Sequence, residues 1–176
     1  MTDWAKAINP TAALATEDDA ISAARGSAIA IFLGVVWGVV GIIYLMTAGQ
    51  AAMQAAVTQA SAESPGMVGA VGQIALWTAI FFVVAQAVIG FIQWSKPNIV
   101  IPIIFLILVV FGLIMGVFGL MMANSMPEVA EAQAQTPAWQ TWIGMLLMIV
   151  QAVMHIAGIR GASALDKIRT RAAQEY

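Results

Sequence analysis

The chain has 176 residues and a formal net charge of -2, and 61% of its residues are hydrophobic while only 9% are charged. Soluble domains carry about 25% charged residues, so this composition excludes a water-soluble globular protein and indicates a chain solvated by lipid. The acidic balance excludes the basic face that nucleic acid binding needs. The absence of Cys excludes disulfides, thiolate catalysis and Cys-ligated metal or haem.

Four long stretches of the chain lack Asp, Glu, Lys and Arg, and each is long enough for a transmembrane helix. A helix rises about 1.5 Å per residue, so about 20 residues cross the hydrocarbon core. We predict an all-α integral membrane protein, in which a bundle of four transmembrane helices forms one membrane domain over 27–160. The predicted spans are 27–48, 72–95, 99–123 and 139–160.

Residues 1–26 precede the first span and are predicted to be a cytoplasmic segment that is helical from about residue 17. Thr16 offers a capping hydroxyl, and the acidic run at 17–19 suits the positive end of a helix dipole. Span one is expected to remain a membrane anchor, because the preceding segment is acidic and the apolar run is too long for a signal peptide.

Three segments outside the spans are predicted as follows. Residues 50–60 are rich in Ala and Gln without Gly or Pro, so the first helix should protrude outward until 64–66 ends it. The short connection at 95–98 predicts an antiparallel hairpin of spans two and three. Residues 161–176 form a basic cytoplasmic segment, which is expected either to lie at the inner membrane surface or to be a solvated tail.

All basic residues flank the same ends of the predicted spans, and Lys and Arg near span ends remain cytoplasmic in most membrane proteins. They are Lys6, Arg25, Lys96, Arg160, Lys167, Arg169 and Arg171. The loops on the opposite side, 49–71 and 124–138, carry only Glu63, Glu128 and Glu131 as charged residues. We therefore predict cytoplasmic N- and C-termini in a plasma membrane, and a bacterial inner membrane is the expected location.

Residues shared by spans two and four predict an internal repeat. Trp77 lies nine residues before a Gln-Ala-Val triplet at 86–88, and Trp142 lies at the same distance before an identical triplet at 151–153. Spans one and three share Phe-Leu followed by Val-Val, an aromatic residue and Gly. Two tandem two-helix units, related by a pseudo-two-fold axis along the membrane normal, would produce this pattern. Chance matching of apolar helices is the other interpretation.

The predicted spans contain no Asp, Glu, Lys or Arg except Arg160, the last residue of the fourth span, which disfavours ion-coupled transport and proton pumping. The scattered Glu residues of the outer loops offer no catalytic or zinc constellation. We therefore predict that the protein is not an enzyme and has no cofactor or metal site. His155, the single histidine, is the one candidate for binding a pigment or relaying a proton. Its other interpretation is an interhelical hydrogen bond, with Gln151 one turn away on the same helix face.

The glutamines and glycines of the spans have two interpretations each. Gln86, Gln93 and Gln151 either join helices through hydrogen bonds or line a path for a neutral or lipidic solute. Small-residue stripes in spans one and three favour close helix packing within the chain or with other subunits. The glycines of these stripes are Gly34, Gly38, Gly41, Gly112, Gly116 and Gly119.

These features predict a non-enzymatic membrane subunit that assembles or stabilises a larger membrane complex, or a self-associating scaffold. Its expected partners are membrane lipids and either other membrane subunits or further copies of the chain. A small homo-oligomeric pore or carrier for a neutral or lipidic solute, lined by Gln86, Gln93 and Gln151, is the first alternative. A pigment-binding or lipid-binding subunit that uses His155 is the second.

Overall fold

The computed structural model describes residues 3–47, 49, 68–134 and 136–174, and every regular element in these ranges is an α-helix. Four of the helices are long and apolar enough to cross a membrane, which confirms the predicted all-helical, multi-pass architecture. The helices are α1 (Trp4–Ile8), α2 (Glu17–Met46), α3 (Val68–Ser95), α4 (Val100–Ala123), α5 (Pro127–Ala134) and α6 (Ala138–Gln174).

α2 begins at Glu17 because Thr16 caps its first turn. The Thr16 side-chain oxygen accepts a hydrogen bond from the Asp19 backbone N–H at 3.1 Å, and the acids at 17–19 occupy the turn where the helix dipole favours negative charge. α2 therefore starts well before the predicted membrane boundary at residue 27. It ends at Met46, and the predicted extension over 50–60 with its end at 64–66 lies outside the described residues.

α2 is the central helix of the bundle and packs against both α6 and α3, whereas α4 packs mainly against α6. The α2–α6 interface is built from small residues. Ala20, Ala24 and Ala28 of α2 are fully buried, and a Cβ built on Gly158 of α6 would lie only 2.5 Å from the Ser27 Cβ. The two backbones therefore approach almost to contact, as small-residue interfaces allow in membranes.

A polar turn joins α3 to α4. The Asn98 side-chain oxygen accepts from the backbone N–H groups of Val100 and Ile101 at 3.0 Å each and so starts α4. The connection of the predicted hairpin is present, but each of its helices packs mainly on another partner, α3 on α2 and α4 on α6. The reason is that α2 and α6, whose small residues permit the closest approach, occupy the middle of the bundle.

The two ends of the described chain lie at the same end of the bundle, which we call the basic end. α1 contacts both α2 and α6. Lys6 Nζ lies 2.7 Å from Asp19 Oδ2, and Arg169 Nε lies 3.0 Å from Glu17 Oε1. Arg160 donates to the Ala12 carbonyl oxygen at 2.9 Å. The N-terminal segment is therefore attached to both α2 and α6 at the basic end.

α6 runs without interruption from the membrane into the C-terminal segment and ends at Gln174. Ala162 and Leu165 are buried in this extension. Residues 161–174 therefore continue the fourth span as a helix that packs on the bundle, a third arrangement beside the surface-bound and solvated ones considered above.

Candidate functional site

Four polar side chains are buried in the described part of the bundle, and they are Ser27, Gln93, Gln151 and His155. A polar group in hydrocarbon is costly unless it has a hydrogen-bond partner. All four lie on or contact the N-terminal half of α2, which locates the polar centre of the described bundle around this helix.

His155 is completely buried between α2 and α6. Its Nδ1 lies 2.8 Å from the Ser27 hydroxyl oxygen. This contact joins the two helices, in agreement with the interpretation of His155 as an interhelical hydrogen-bonding group, and its partner is Ser27. The ring also packs at a 34° tilt against Phe105 of α4, with 5.7 Å between the ring centroids. His155 Nε2 has no hydrogen-bond partner among the described residues.

Gln151 and Gln93 both donate to backbone carbonyl groups of α2. Gln151 Nε2 donates to Ala30 O at 3.0 Å, and Gln93 Nε2 lies 3.4 Å from Ala24 O. These carbonyls belong to helical residues, and each uses its second lone pair. Gln93 also donates to Asn98 O at 3.1 Å and accepts from Asn98 N at 3.3 Å. Gln93 is therefore fully engaged at the α3–α4 turn.

A cavity of about 230 Å³ lies between the four membrane helices, and we call it the central cavity. Its polar lining consists of Gln86, Gln151 and His155, and Ile31, Phe105 and Met148 contribute to its apolar walls. Sites for drug-sized ligands measure roughly 300–1,000 Å³, so the central cavity is too small to enclose a haem or chlorin ring. It brings together two of the three predicted glutamines with the predicted histidine.

Gly34 makes room for the two glutamines of the central cavity. A Cβ at this position would lie 2.9 Å from Gln151 Nε2 and 3.3 Å from Gln86 Oε1. Such distances are shorter than ordinary van der Waals contact, so a larger residue at position 34 would displace both amide groups.

The other predicted packing glycines differ in their surroundings. A Cβ on Gly38 would lie 2.6 Å from Val83 Cγ2, and one on Gly112 would lie 3.1 Å from Met148 Sδ. A Cβ on Gly119 would lie 3.2 Å from Gln133 Nε2 of α5. For Gly41 and Gly116, no atom of the described residues lies within 4 Å of an added Cβ.

Sequence analysis missed the two glycines with the tightest surroundings, Gly158 and Gly161 of α6. A Cβ on Gly161 would overlap the backbone nitrogen of Ala24 and lie 2.7 Å from the carbonyl carbon of Ala23. The signal was present, because glycines three residues apart share a helix face. It falls at the end of the fourth span, outside the small-residue stripes of spans one and three.

An aromatic cluster lies at the basic end of the bundle. The Arg25 guanidinium lies 5.1 Å from the centroid of the Trp94 ring, and Arg25 Nε donates to Trp94 O at 3.2 Å. Trp4 of α1 stacks on Trp94 with 6.2 Å between the centroids. Cation–π and ring-stacking contacts of this kind suit the membrane interface, and they attach α1 to α2 and α3.

A surface pocket of about 510 Å³ next to this cluster is lined by both acidic and basic residues, including Asp18, Asp19 and Arg25. The hydrogen bond from Lys6 lowers the pKa of the Asp19 carboxyl below its ordinary value, with Thr16 and the Ala15 backbone acting in the same direction. The N-terminal segment is therefore held partly by an ionised carboxylate.

Comparison with known proteins finds no match, whether with protein-family models, with curated proteins or with solved structures.

Proposed function

We propose that this chain is a non-enzymatic membrane subunit that acts by packing, either by assembling or stabilising a larger membrane complex or by self-association as a scaffold. One observation carries the proposal: Pro102 is the only buried residue in the 24 residues of α4. By contrast, α2 buries eight residues from Ala20 to Ile31. A helix so little covered by its own chain leaves most of its circumference for lipid or for another transmembrane helix.

The outward side of α4 has the composition of a helix-packing surface. Phe111 and Phe118 lie two turns apart on one side of the helix, and both are more than half exposed. Projecting side chains of this kind can pack against a second membrane helix by van der Waals contact. The surface therefore suits a second protein helix as its occupant.

Site-specific photo-crosslinking tests this proposal in native membranes. A photo-reactive phenylalanine analogue at Phe118 of α4 should give a defined protein adduct, either a dimer of the chain or a complex with one partner. The same analogue at Phe81, a 67% exposed residue of α3, is the matched control and should react mainly with lipid. Adducts with lipid alone at both positions would contradict a packing role.

A carrier or binding protein for a neutral or lipidic solute is the second candidate. The central cavity favours it, because Gln86 and Gln151 line a space shared by all four membrane helices. Gln93 does not belong to such a path, since it is fully buried and bonded at the α3–α4 turn. This candidate needs a solute that enters the cavity, whereas the packing role does not.

We also propose that the basic end faces the cytoplasm of a bacterial cell whose inner membrane contains the bundle. Support comes from the clustering of Lys6, Arg25, Arg160 and Arg169 around the N-terminal segment and the cytoplasmic ends of α2 and α6, because basic residues near span ends stay inside.

The tandem repeat remains a proposal of the same kind. The contacts of α2 with α3 and of α4 with α6 support it, as does the joint position of Gln86 and Gln151 at the central cavity. A two-fold axis would make the contact of α2 with α6 equivalent to one between α4 and α3. Among the described residues α3 and α4 do not pack closely, so any symmetry is strongest within the two-helix units.

A further inference from the structure

The contact between Ser27 and His155 favours one tautomer of the imidazole ring over the other. Both side chains are fully buried, and among the described residues the Ser27 hydroxyl has His155 Nδ1 as its hydrogen-bond partner. If Nδ1 carried the proton, the hydroxyl hydrogen and a bare Nε2 would both be unpaired. If the hydroxyl donates to Nδ1 instead, only Nε2–H is unpaired. Since each unpaired buried group is costly, the second arrangement is favoured.

The consequence is an unused N–H donor on His155, a residue that lines the central cavity. Nε2 itself is covered in this structure, so an acceptor oxygen reaches it only when a neighbouring side chain moves aside. The two amides of the cavity are also incompletely used. Gln151 donates one of its two N–H groups to Ala30 O, and Gln86 makes no hydrogen bond to another described residue. Among the described residues no charged side chain lines this space, and most of its wall is apolar. A complementary molecule is therefore neutral and apolar and carries an acceptor oxygen.

The geometry of the bundle leaves one side of the cavity for entry. The boundaries of α2 with α3, of α2 with α6 and of α4 with α6 are the main packing contacts, whereas α3 and α4 each pack mainly elsewhere. His155 lies five residues before Arg160, which is about 7 to 8 Å along the helix. At this distance from Arg160, His155 lies at the depth of the hydrocarbon, so the gap between α3 and α4 opens into the bilayer interior. A molecule that enters through this gap must dissolve in the bilayer.

We propose that the central cavity binds the carbonyl end of a neutral, lipid-soluble molecule, whose oxygen accepts a hydrogen bond from His155 Nε2–H. An apolar cavity of about 150 Å³ holds benzene, so 230 Å³ holds one substituted six-membered ring, with the apolar remainder extending between α3 and α4. The site does not depend on the packing role, because that role uses the outward side of α4.

The single histidine makes the test direct, since nitrogen-15 histidine gives one imidazole in the spectrum of the full chain in bilayers. The probe is 4-pentylcyclohexanone, and pentylcyclohexane is its match without the oxygen. We expect the Nε2–H tautomer without the probe, a saturable shift of the Nε2 signal with the ketone, and no shift with the hydrocarbon.

Two variants and one control separate the site from general damage. Gln86→Leu removes one polar group of the lining and should weaken ketone binding about fivefold. Val109→Phe fills the cavity without changing a polar group and should abolish binding while the helical content is retained. Phe118→Leu, on the outward side of α4, should leave binding unchanged.

Three results would overturn the proposal. The Nδ1–H tautomer would remove the donor. Equal binding of ketone and hydrocarbon would show an apolar site without recognition of oxygen. A signal that responds to neither compound in wild type, with Nε2–H exchanging rapidly with deuterated water, would show that the cavity holds water only.

Discussion

The α2–α6 interface predicts that Gly161→Ala destabilises the protein even though it adds only one methyl group. The new Cβ would meet backbone atoms of α2, at 2.7 Å from Ala23 C and 2.8 Å from Ala20 O. Backbone atoms cannot rotate away, so α2 and α6 must separate by about 1 Å to restore ordinary contact distances of 3.5–4.0 Å. Overpacking of this kind costs about 1–3 kcal/mol.

Two further effects change the expected loss in the free energy of unfolding. Alanine is a better helix former than glycine by about 1 kcal/mol, which opposes the clash. Separation of the helices by about 1 Å would also stretch the 2.8 Å contact between Ser27 and His155 beyond hydrogen-bond length, at a cost of about 0.6 kcal/mol for an average hydrogen bond in a membrane protein. The net expectation is a loss of about 1–2 kcal/mol.

Gly116→Ala is the matched control, because no described atom lies within 4 Å of the added Cβ. It should gain up to about 1 kcal/mol from helix propensity alone. Reversible unfolding in mixed detergent micelles, followed by circular dichroism, measures both variants against wild type. The reasoning is refuted if Gly161→Ala proves as stable as Gly116→Ala.

Four other outcomes are expected. In intact cells, an impermeant thiol reagent should label Thr136→Cys and leave Ser95→Cys unlabelled, and the reverse pattern would invert the orientation. His155→Gln should remain folded, because an amide can replace part of the hydrogen bonding of the ring; unfolding in native bilayers would contradict this. The purified protein in liposomes should show no ion current above background, since the predicted spans contain no charged side chain except Arg160 at the end of the fourth. Acidification through the lowered pKa of Asp19 should release the N-terminal segment, which limited proteolysis would detect. A carboxylate with a depressed pKa stabilises the folded state above its unfolded pKa, and that stabilisation is lost as the pH falls through the folded pKa. The same pH response in Asp19→Asn would refute this prediction.

The existence and position of the helices could be predicted from the sequence, because the length of an apolar stretch and the charges at its ends are local properties. The start of α2 at Glu17 follows from Thr16 and the acids after it in the same way. Which helices pack together is not local. All four spans are apolar on every side, so periodicity does not identify an inward face, and only the fit of small residues on α2 to Gly158 and Gly161 decides the arrangement.

At the candidate site, too, the local features could be predicted from the sequence and the partners of each side chain could not. His155 could be predicted to form an interhelical hydrogen bond, because a lone imidazole in a span needs a partner. Gln151 lies one turn away on the same helix face, but its side chain donates to Ala30 O, and Ser27 is the hydrogen-bond partner of the imidazole. Serine is so common in membrane helices that nothing in the local sequence distinguishes this one. The central cavity arises from four separate segments, and no single segment encodes it.

The pairing of α2 with α6 affects how the protein is made. Ser27 and His155 are 128 residues apart in the chain, and ribosomes add about 5–20 residues per second, so α2 enters the bilayer on the order of 10 s before its main partner exists. During that interval the small, polar face of α2 is exposed to lipid or to the insertion machinery. A chain that terminates before α6 would keep this face uncovered permanently, which marks it as incomplete for any chaperone or protease that recognises exposed polar groups within the membrane.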